Sequence, residues 1–195
     1  MITPGRREQH KAATRSALQD AALQMFEERG YAQTTVRDIS GAAGVTERTF
    51  FRYFRSKEDL VLGEVLDLLP VLTEHIRTRP RGEPPYPAIL NSLLAVGAER
   101  PGGVGILFSG PPARFPASTR RPDAVLLQFE DGIAAALAER SGDGDTLRAS
   151  VLARAAVGAI RATLIAYAHL PDEDKTMTTA LRLVQDAFAA LQSGR

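Results

Sequence analysis

Residues 34–60 read TTVRDISGAAGVTERTFFRYFRSKEDL and contain three residues that are placed to begin short helices. Thr35 and Ser56 are each followed three positions later by an aspartate, which is the spacing of a capping box. Thr46 is a third N-cap candidate, and Gly44 is suited to end the helix that precedes it. Three helix starts within about twenty residues are typical of a compact trihelical unit of the kind that binds DNA.

The apolar and polar residues of this segment separate an inner face from an outer face. The inner residues are spaced to pack two short helices against the first helix of the chain: Ile39, Ala43, Val45, Phe50 and Phe54. The outer face of the third helix carries mainly hydrogen-bonding side chains: Thr46, Glu47, Arg48, Thr49 and Tyr53. Because the N-terminal residues of a recognition helix meet base edges in the major groove, this face is the predicted DNA-reading surface.

Lys57 lies in the first turn of the fourth helix, where the helix dipole disfavours a positive charge. Its neighbours Glu58 and Asp59 are the residues that helix stability would select at this position. A lysine placed against the local electrostatics needs another reason, and we expect a DNA phosphate to be its partner.

These motifs resemble the N-terminal domain of the TetR family of transcriptional repressors. The resemblance consists of a first helix that ends in Gly-Tyr, followed by TTVRDI, AAGV, TERTFFRYF and SKEDL. It covers Leu18 to Leu62, and it is specific because several motifs agree in their spacing. The long helical remainder of the chain is also similar to the layout of that family.

The resemblance implies a homodimeric repressor that binds a palindromic operator and releases it when a small-molecule effector binds the C-terminal domain. By position, Thr35, Tyr53 and Lys57 would hold phosphates, and Arg37, Glu47, Arg48 and Thr49 would lie against base edges or the adjacent backbone. Phe51 departs from the family, since many members have a tyrosine there that contacts a phosphate. The full predicted DNA-binding set is Thr35, Arg37, Thr46, Glu47, Arg48, Thr49, Arg52, Tyr53 and Lys57.

Two of these residues keep alternative roles. Arg48 can read a guanine edge or grip a phosphate, and Glu47 can accept a hydrogen bond from a cytosine amine or simply suit a helix N-terminus.

The rest of the chain has helical apolar spacing and no alternating strand pattern, which predicts an all-α fold. We expect a three-helix helix-turn-helix domain at residues 1–56 and a larger effector-binding and dimerisation domain at residues 57–195. The first helix should end in a left-handed cap at Gly30. Pro70 should kink or break the fourth helix, and the last helix should run from about Asp172 to Gln192.

Composition and residue inventory exclude several classes of protein. The 195 residues carry a net charge of +1 and no cysteine, so disulfide scaffolds and cysteine nucleophiles are absent. No stretch approaches the ~20 apolar residues of a membrane span, and we expect a cytoplasmic protein without a membrane partner. The three histidines, His10, His75 and His169, are far apart, so we predict no enzyme, metal site or cofactor.

Apolar and aromatic residues of the middle helices are the candidates for an effector pocket. They are Leu72, His75, Ile76, Phe108, Phe115, Phe129, Arg161 and Tyr167. Arg161 interrupts an apolar run, and a buried charge there would need a partner. That partner is an anionic effector, Glu130 or Asp131, or else the side chain faces solvent.

The last two helices are the predicted dimer interface. Met177, Leu181, Val184, Phe188 and Leu191 follow a 4-3-4-3 spacing, which gives a narrow apolar seam suited to a partner helix. The predicted interface set is Leu152, Ala156, Ile160, Leu181, Val184, Phe188 and Leu191.

A different function class remains open at this point. The chain could be a helical small-molecule-binding or interaction protein whose helix-turn-helix no longer binds a specific operator. An enzyme that uses the same cavity is a third possibility, which the poor inventory of catalytic residues disfavours.

Overall fold

The structure is a computed structural model that describes residues 5–100, 102, 107–108 and 122–193. All regular elements within these residues are helical, which confirms the all-α prediction. The α-helices are α1 (Arg6–Arg29), α2 (Val36–Ala42), α3 (Glu47–Tyr53), α4 (Lys57–Thr78), α5 (Pro85–Glu99), α6 (Pro122–Ser141), α7 (Thr146–Ala168) and α8 (Met177–Ser193). A 3₁₀ turn, Asp172–Asp174, precedes α8.

The chain divides into two compact units, of which the first ends at Glu64 and the second begins at Val65. The division lies within α4, so the first turns of this helix belong to the N-terminal unit. The sequence-based boundary at residue 56 lies before α4 instead. The assignment of DNA binding to one unit and effector binding to the other stays a prediction.

In the first unit, α1 to α3 and the start of α4 share a small aromatic core. Its fully or almost fully buried side chains are Leu18, Ala22, Phe26, Ile39, Phe50, Phe54 and Leu60. Of the predicted inner residues, Ala43 and Val45 are only half-buried. Tyr31 packs on Phe26 with ring centroids 5.1 Å apart.

The turns between these helices depend on glycine and on threonine caps. Gly30 has a φ of 78° and a ψ of 156°, a region open essentially to glycine alone, so it caps α1 without the predicted left-handed helical ψ. Gly44 has a φ of 67° in the turn between α2 and α3. Thr35 and Asp38 form the predicted capping box of α2, and the Thr46 hydroxyl accepts from the Thr49 N–H at the start of α3.

The second unit is a helical bundle around one apolar cluster. α7 packs against both α6 and α8, and α5 also contacts α7 and α8. The buried cluster consists of Leu68, Leu72, Ile76, Ile89, Val96, Ile133, Ala136, Leu137, Ala149, Ala153, Ala156, Val157 and Phe188. Many of its members on α6 and α7 are alanines, which allow close approach of the helices.

The connection between α4 and α5 is held by a buried arginine from α6. Arg140 is 6% exposed, and its guanidinium donates to the carbonyl oxygens of Arg79, Pro80 and Glu83. The Glu83 carboxylate in turn accepts from Arg79 at 2.6 and 2.7 Å and from Asn91 at 2.7 Å. A buried charged side chain therefore supplies hydrogen-bond donors to three carbonyl oxygens of this proline-rich loop.

Two helix boundaries differ from the sequence-based expectation. α4 continues through Pro70 as one helix, so Pro70 does not break it, and the alternative of a kink stays a prediction. The last long helix begins at Met177, because the acidic segment Asp172–Asp174 forms a separate 3₁₀ turn.

α7 is the one helix in the described part of the chain that is long and apolar enough to cross a membrane. It has 23 residues and a most apolar window with a mean hydropathy of 1.5. The expectation that no stretch approaches the length of a membrane span is therefore wrong for α7. The core helix of a bundle has the same composition, and Ala149, Ala153, Ala156 and Val157 bury one face of α7 inside its own unit.

Candidate nucleic-acid interface and effector region

α3 presents a largely polar face to solvent because Phe50 and the following Phe54 hold the opposite face in the core. Phe50 is fully buried, and its ring lies 5.6 Å from the ring of Phe54. Exposed side chains on the outer face are Thr46, Glu47, Arg48, Phe51 and Arg52. Thr49 and Tyr53 are half-buried, and Arg37 on α2 is exposed. Most of the predicted DNA-reading residues on α2 and α3 are therefore exposed to solvent.

The hydroxyl groups of the threonines at the starts of α2 and α3 form hydrogen bonds within the protein. Thr35 donates its O–H to the Asp38 carboxylate at 2.6 Å and accepts from the Asp38 N–H at 3.1 Å. The hydroxyl's donation lowers the pKa of Asp38, and the Thr35 backbone N–H, which donates to the same carboxylate at 3.0 Å, lowers it further. The Thr46 and Thr49 hydroxyls form a hydrogen bond with each other at 3.1 Å. A phosphate contact from Thr35 would require its hydroxyl to turn away from Asp38.

The structure gives Lys57 an internal role that sequence reasoning missed. Its ammonium donates to the carbonyl oxygens of Tyr31 at 2.6 Å and Thr34 at 2.7 Å, and it lies 3.9 Å from the centre of the Tyr31 ring. Burial lowers the pKa of Lys57, and the neighbouring Glu58 partly offsets this. Since an ammonium has three N–H donors, at most one is left for a phosphate.

Tyr31 and Glu58 add a further contact between the turn that joins α1 to α2 and the first turn of α4. The Tyr31 hydroxyl donates to the Glu58 carboxylate at 2.6 Å. Burial raises the pKa of Tyr31, and the hydrogen bond to Glu58 raises it further. Burial alone would raise the pKa of Glu58, but hydrogen bonds from Tyr31 and Ser56 outweigh it and lower that pKa. Lys57 is therefore explained by local structure even without DNA.

A cleft of about 410 Å³ lies between α1 and the end of α3. Its lining residues are Glu8, Lys11, Ala12, Arg15, Arg52 and Tyr53, so cations outnumber acids. Arg15 lies over the Phe54 ring at 5.1 Å, whereas Lys11 is exposed. Lys11 is a candidate contact that the motif-based set omits. The four-residue spacing of Lys11 and Arg15 on α1 is the signal that could have found it.

The predicted effector residues do not share one environment. Leu72 and Ile76 are part of the buried cluster, and Phe129 packs against it. Tyr167 is 8% exposed, and the Phe108 ring lies 5.1 Å from its ring. The His75 Nε2 atom lies 3.1 Å from the Glu99 carboxylate. Phe115 lies outside the described residues.

Arg161 is exposed on α7, so the premise of a buried charge in need of an anionic partner is wrong. The acids proposed for it pair with a different arginine, which lies about two turns earlier on α7. Arg154 lies 3.5 Å from Glu130 and 3.6 Å from Asp131. Of the alternatives open from the sequence, solvent is the one that the structure supports.

The predicted dimer seam faces largely into the bundle. Ala156 and Phe188 are fully buried in the core of their own unit and are unavailable to a second chain. Leu152, Ile160, Val184 and Leu191 are half-buried against the same core, and only Leu181 of the predicted set is exposed. The 4-3-4-3 spacing identified an apolar face correctly, but the bundle itself covers most of it.

Residues 18–63 match the family described as bacterial regulatory proteins, tetR family. The chain is 38% identical over 93 residues to the HTH-type transcriptional regulator TcmR of Streptomyces glaucescens, covering 48% of this chain and 41% of TcmR. The chain thus spans less than half the length of that relative.

Two solved structures are similar over nearly the whole chain. The fatty acid degradation regulator FadR from Bacillus halodurans has a TM-score of 0.62 and 20% identity, with 99% of this chain and 98% of that chain covered. Thermus thermophilus FadR, a transcriptional repressor in complex with lauroyl-CoA, has a TM-score of 0.62 and 23% identity, with 92% and 94% covered. Both agree with the observed fold, and the proteins named here are regulators rather than enzymes.

Proposed function

We propose that the chain is a DNA-binding transcriptional regulator of the tetR family, specifically a cytoplasmic repressor, because residues 18–63 match that family and TcmR is a transcriptional regulator. The observation that carries the proposal is the outer face of α3. Exposed hydrogen-bonding side chains line this face, while Phe50 and Phe54 fix the helix from the opposite side. This is the arrangement that a helix needs in order to enter the major groove as a rigid reading element.

Exposed charged side chains of α2 and α3 are the proposed readers of base edges. Arg48 has the geometry for a bidentate contact with guanine O6 and N7, and Glu47 can accept from a cytosine amine. Arg37 on α2 and Arg52 on α3 are also exposed, and they are proposed to contact base edges or the adjacent DNA backbone. Thr46 and Thr49 reach the same groove once their mutual hydrogen bond opens.

Phosphate contacts are proposed at the two ends of this surface. Lys11, Arg52 and Tyr53 line the cleft of about 410 Å³ between α1 and α3, and we propose that a phosphodiester group binds there. Lys57 offers its one remaining N–H, and Thr35 contributes if its hydroxyl leaves Asp38. Because the net charge of the chain is only +1, affinity must come from this local placement of cations.

A homodimer is proposed to present two such surfaces to a palindromic operator. Of the seven large apolar side chains exposed in the described part of the chain, five lie on α7 and α8: Leu147, Val151, Ile165, Met177 and Leu181. α7 and α8 pack against each other, so a second copy can cover both exposed faces at once. Two-fold symmetry would place two recognition helices on half-sites about 34–36 Å apart.

Release by a small molecule is the proposed regulation. A ligand lowers operator affinity only if it binds better to the conformation that does not fit DNA. A coupling free energy of ~3 kcal/mol would lower that affinity about 150-fold. Thermus thermophilus FadR is in complex with lauroyl-CoA, so we propose long-chain acyl thioesters as the first effector class to test.

The decisive experiment is selection of bound duplexes from a random DNA pool by the purified protein at two salt concentrations. Recovery of an inverted repeat is the expected result, and it would supply the probe for effector screening with lauroyl-CoA. Recovery of no motif at either salt would contradict the proposal. It would favour a helical small-molecule-binding protein with a degenerate helix-turn-helix.

The dimer is tested by light scattering on three proteins at micromolar concentration. We expect a dimer for the wild type, and a monomer for the Val151→Glu, Leu181→Glu double variant, because two charges would be buried at the interface. Leu127→Glu is the matched control, since Leu127 is equally exposed but lies on α6. A wild-type monomer would contradict both the dimer and the palindrome.

A further inference from the structure

Phe51 is an exposed aromatic residue in the middle of the proposed reading surface. Its side chain is 54% exposed, and it lies one turn after Glu47 and beside Arg52 on the outer face of α3. Its ring makes an edge contact with the buried Phe50 ring at a centroid distance of 5.5 Å and an interplanar angle of 83°. This contact orients the ring while more than half of the side chain remains open.

The chemistry of this side chain limits what it can recognise. A phenyl ring carries no hydrogen-bond donor or acceptor, so it can neither hold a phosphate nor pair with a polar base edge. Against the bases it gains free energy chiefly by covering an apolar group. In the major groove, the 5-methyl group of thymine is the apolar group that the bases present.

We propose that Phe51 is a specificity-determining residue that contacts a thymine 5-methyl group in each half-site. This inference rests on the proposed function, because it requires α3 to enter the major groove. Glu47 and Arg48 supply polar readout one turn earlier on the same face, and Phe51 adds apolar readout of a neighbouring base pair. The selected operator should therefore contain an invariant thymine in each half-site.

The experiment compares thymine with uracil, which differ only by the 5-methyl group. Each thymine of one half-site of the selected operator is replaced singly, and affinity is measured by fluorescence anisotropy at fixed salt. The wild type should lose about three- to fivefold at one position, the factor expected from one buried methyl group. Phe51→Ala should lose less than about 1.5-fold at that position, because its ring is already absent.

Arg52→Ala is the matched control from the same face of α3. Its affinity should be lower for both operators by the same factor, and its thymine-to-uracil ratio should equal that of the wild type. Since Phe51 is exposed, Phe51→Ala should fold, as circular dichroism would verify. If it does not fold, Phe51→Leu supplies the comparison, with an intermediate ratio expected.

Two results would overturn the inference. If Phe51→Ala keeps the full wild-type loss at every uracil position, Phe51 does not contact a methyl group, although the regulator function stands. If Phe51→Ala binds weakly but no uracil substitution affects the wild type, the ring covers something other than thymine. Failure of the wild type to select any motif would instead overturn the proposed function, and this inference with it.

Discussion

In the first unit, α2 and α3 have seven residues each and begin at threonine caps, whereas α7 in the second unit runs for 23 residues around a core of alanines. Short helices gain little free energy from propagation, so side-chain caps and a few aromatic contacts must define them. Long helices of a bundle are defined by apolar burial instead. The two units should therefore respond to different kinds of substitution.

Two phenylalanines give the strongest test of this difference. Phe188 in the second unit is fully buried, while Phe51 in the first is 54% exposed. Phe188→Ala should lower the free energy of unfolding by about 3–5 kcal/mol, because it leaves a cavity in the core. Phe51→Ala should change it by less than about 0.5 kcal/mol. Urea unfolding followed by circular dichroism measures both, and similar losses for the two variants would contradict the comparison.

Arg140 is a buried charged side chain in the otherwise largely apolar interior of the second unit. Arg140→Met should lower the free energy of unfolding by about 2–3 kcal/mol, because the Glu83 carbonyl oxygen loses its charged donor and the Pro80 carbonyl oxygen keeps only the Glu83 N–H. Arg154→Met is the matched control, since Arg154 is largely exposed and its ion pairs are worth about 0–1 kcal/mol. Equal effects would show that burial does not distinguish the two arginines.

The helix boundaries of the first unit could be predicted because they depend on residues three or four positions apart. The capping box of Thr35 and Asp38 and the cap at Thr46 are both visible in the sequence and present in the structure. The partners of Lys57 could not be predicted, because the Tyr31 and Thr34 carbonyls are 26 and 23 residues away. A local electrostatic argument correctly found that Lys57 needs a partner, but it could not identify that partner.

The same limit explains the errors in the second unit. The spacing on α8 predicts an apolar face, but spacing does not say whether a second chain or the bundle covers it, and Phe188 is covered by the bundle. An arginine within an apolar run likewise shows only that a charge is present. The three-dimensional packing decided that Arg154, rather than Arg161, meets Glu130 and Asp131.

The two lysines of the first unit test whether its polar contacts serve structure or DNA. Lys57→Met should lower the free energy of unfolding by about 1–2 kcal/mol, because two carbonyl oxygens lose a charged donor. Lys11→Met should leave stability within about 0.5 kcal/mol of the wild type, since Lys11 is exposed. In operator binding, Lys11→Met should reduce the log–log salt slope by about 1. A Lys57→Met variant as stable as the wild type would contradict the internal role.

The smallest effect concerns the pH dependence of the α2 cap. Hydrogen bonds from Thr35 lower the pKa of Asp38 in the folded protein, so the ionised carboxylate stabilises the fold above the ordinary aspartate pKa of about 4. That stabilisation is lost as the pH falls through the lowered pKa, because a protonated Asp38 no longer accepts both bonds. Asp38→Asn should therefore be less stable than the wild type at pH 7, and the difference should shrink below about pH 4. Thermal unfolding across this range measures the difference. A stability difference between the wild type and Asp38→Asn that stays constant down to pH 2 would show that the charge of Asp38 does not contribute to the α2 cap.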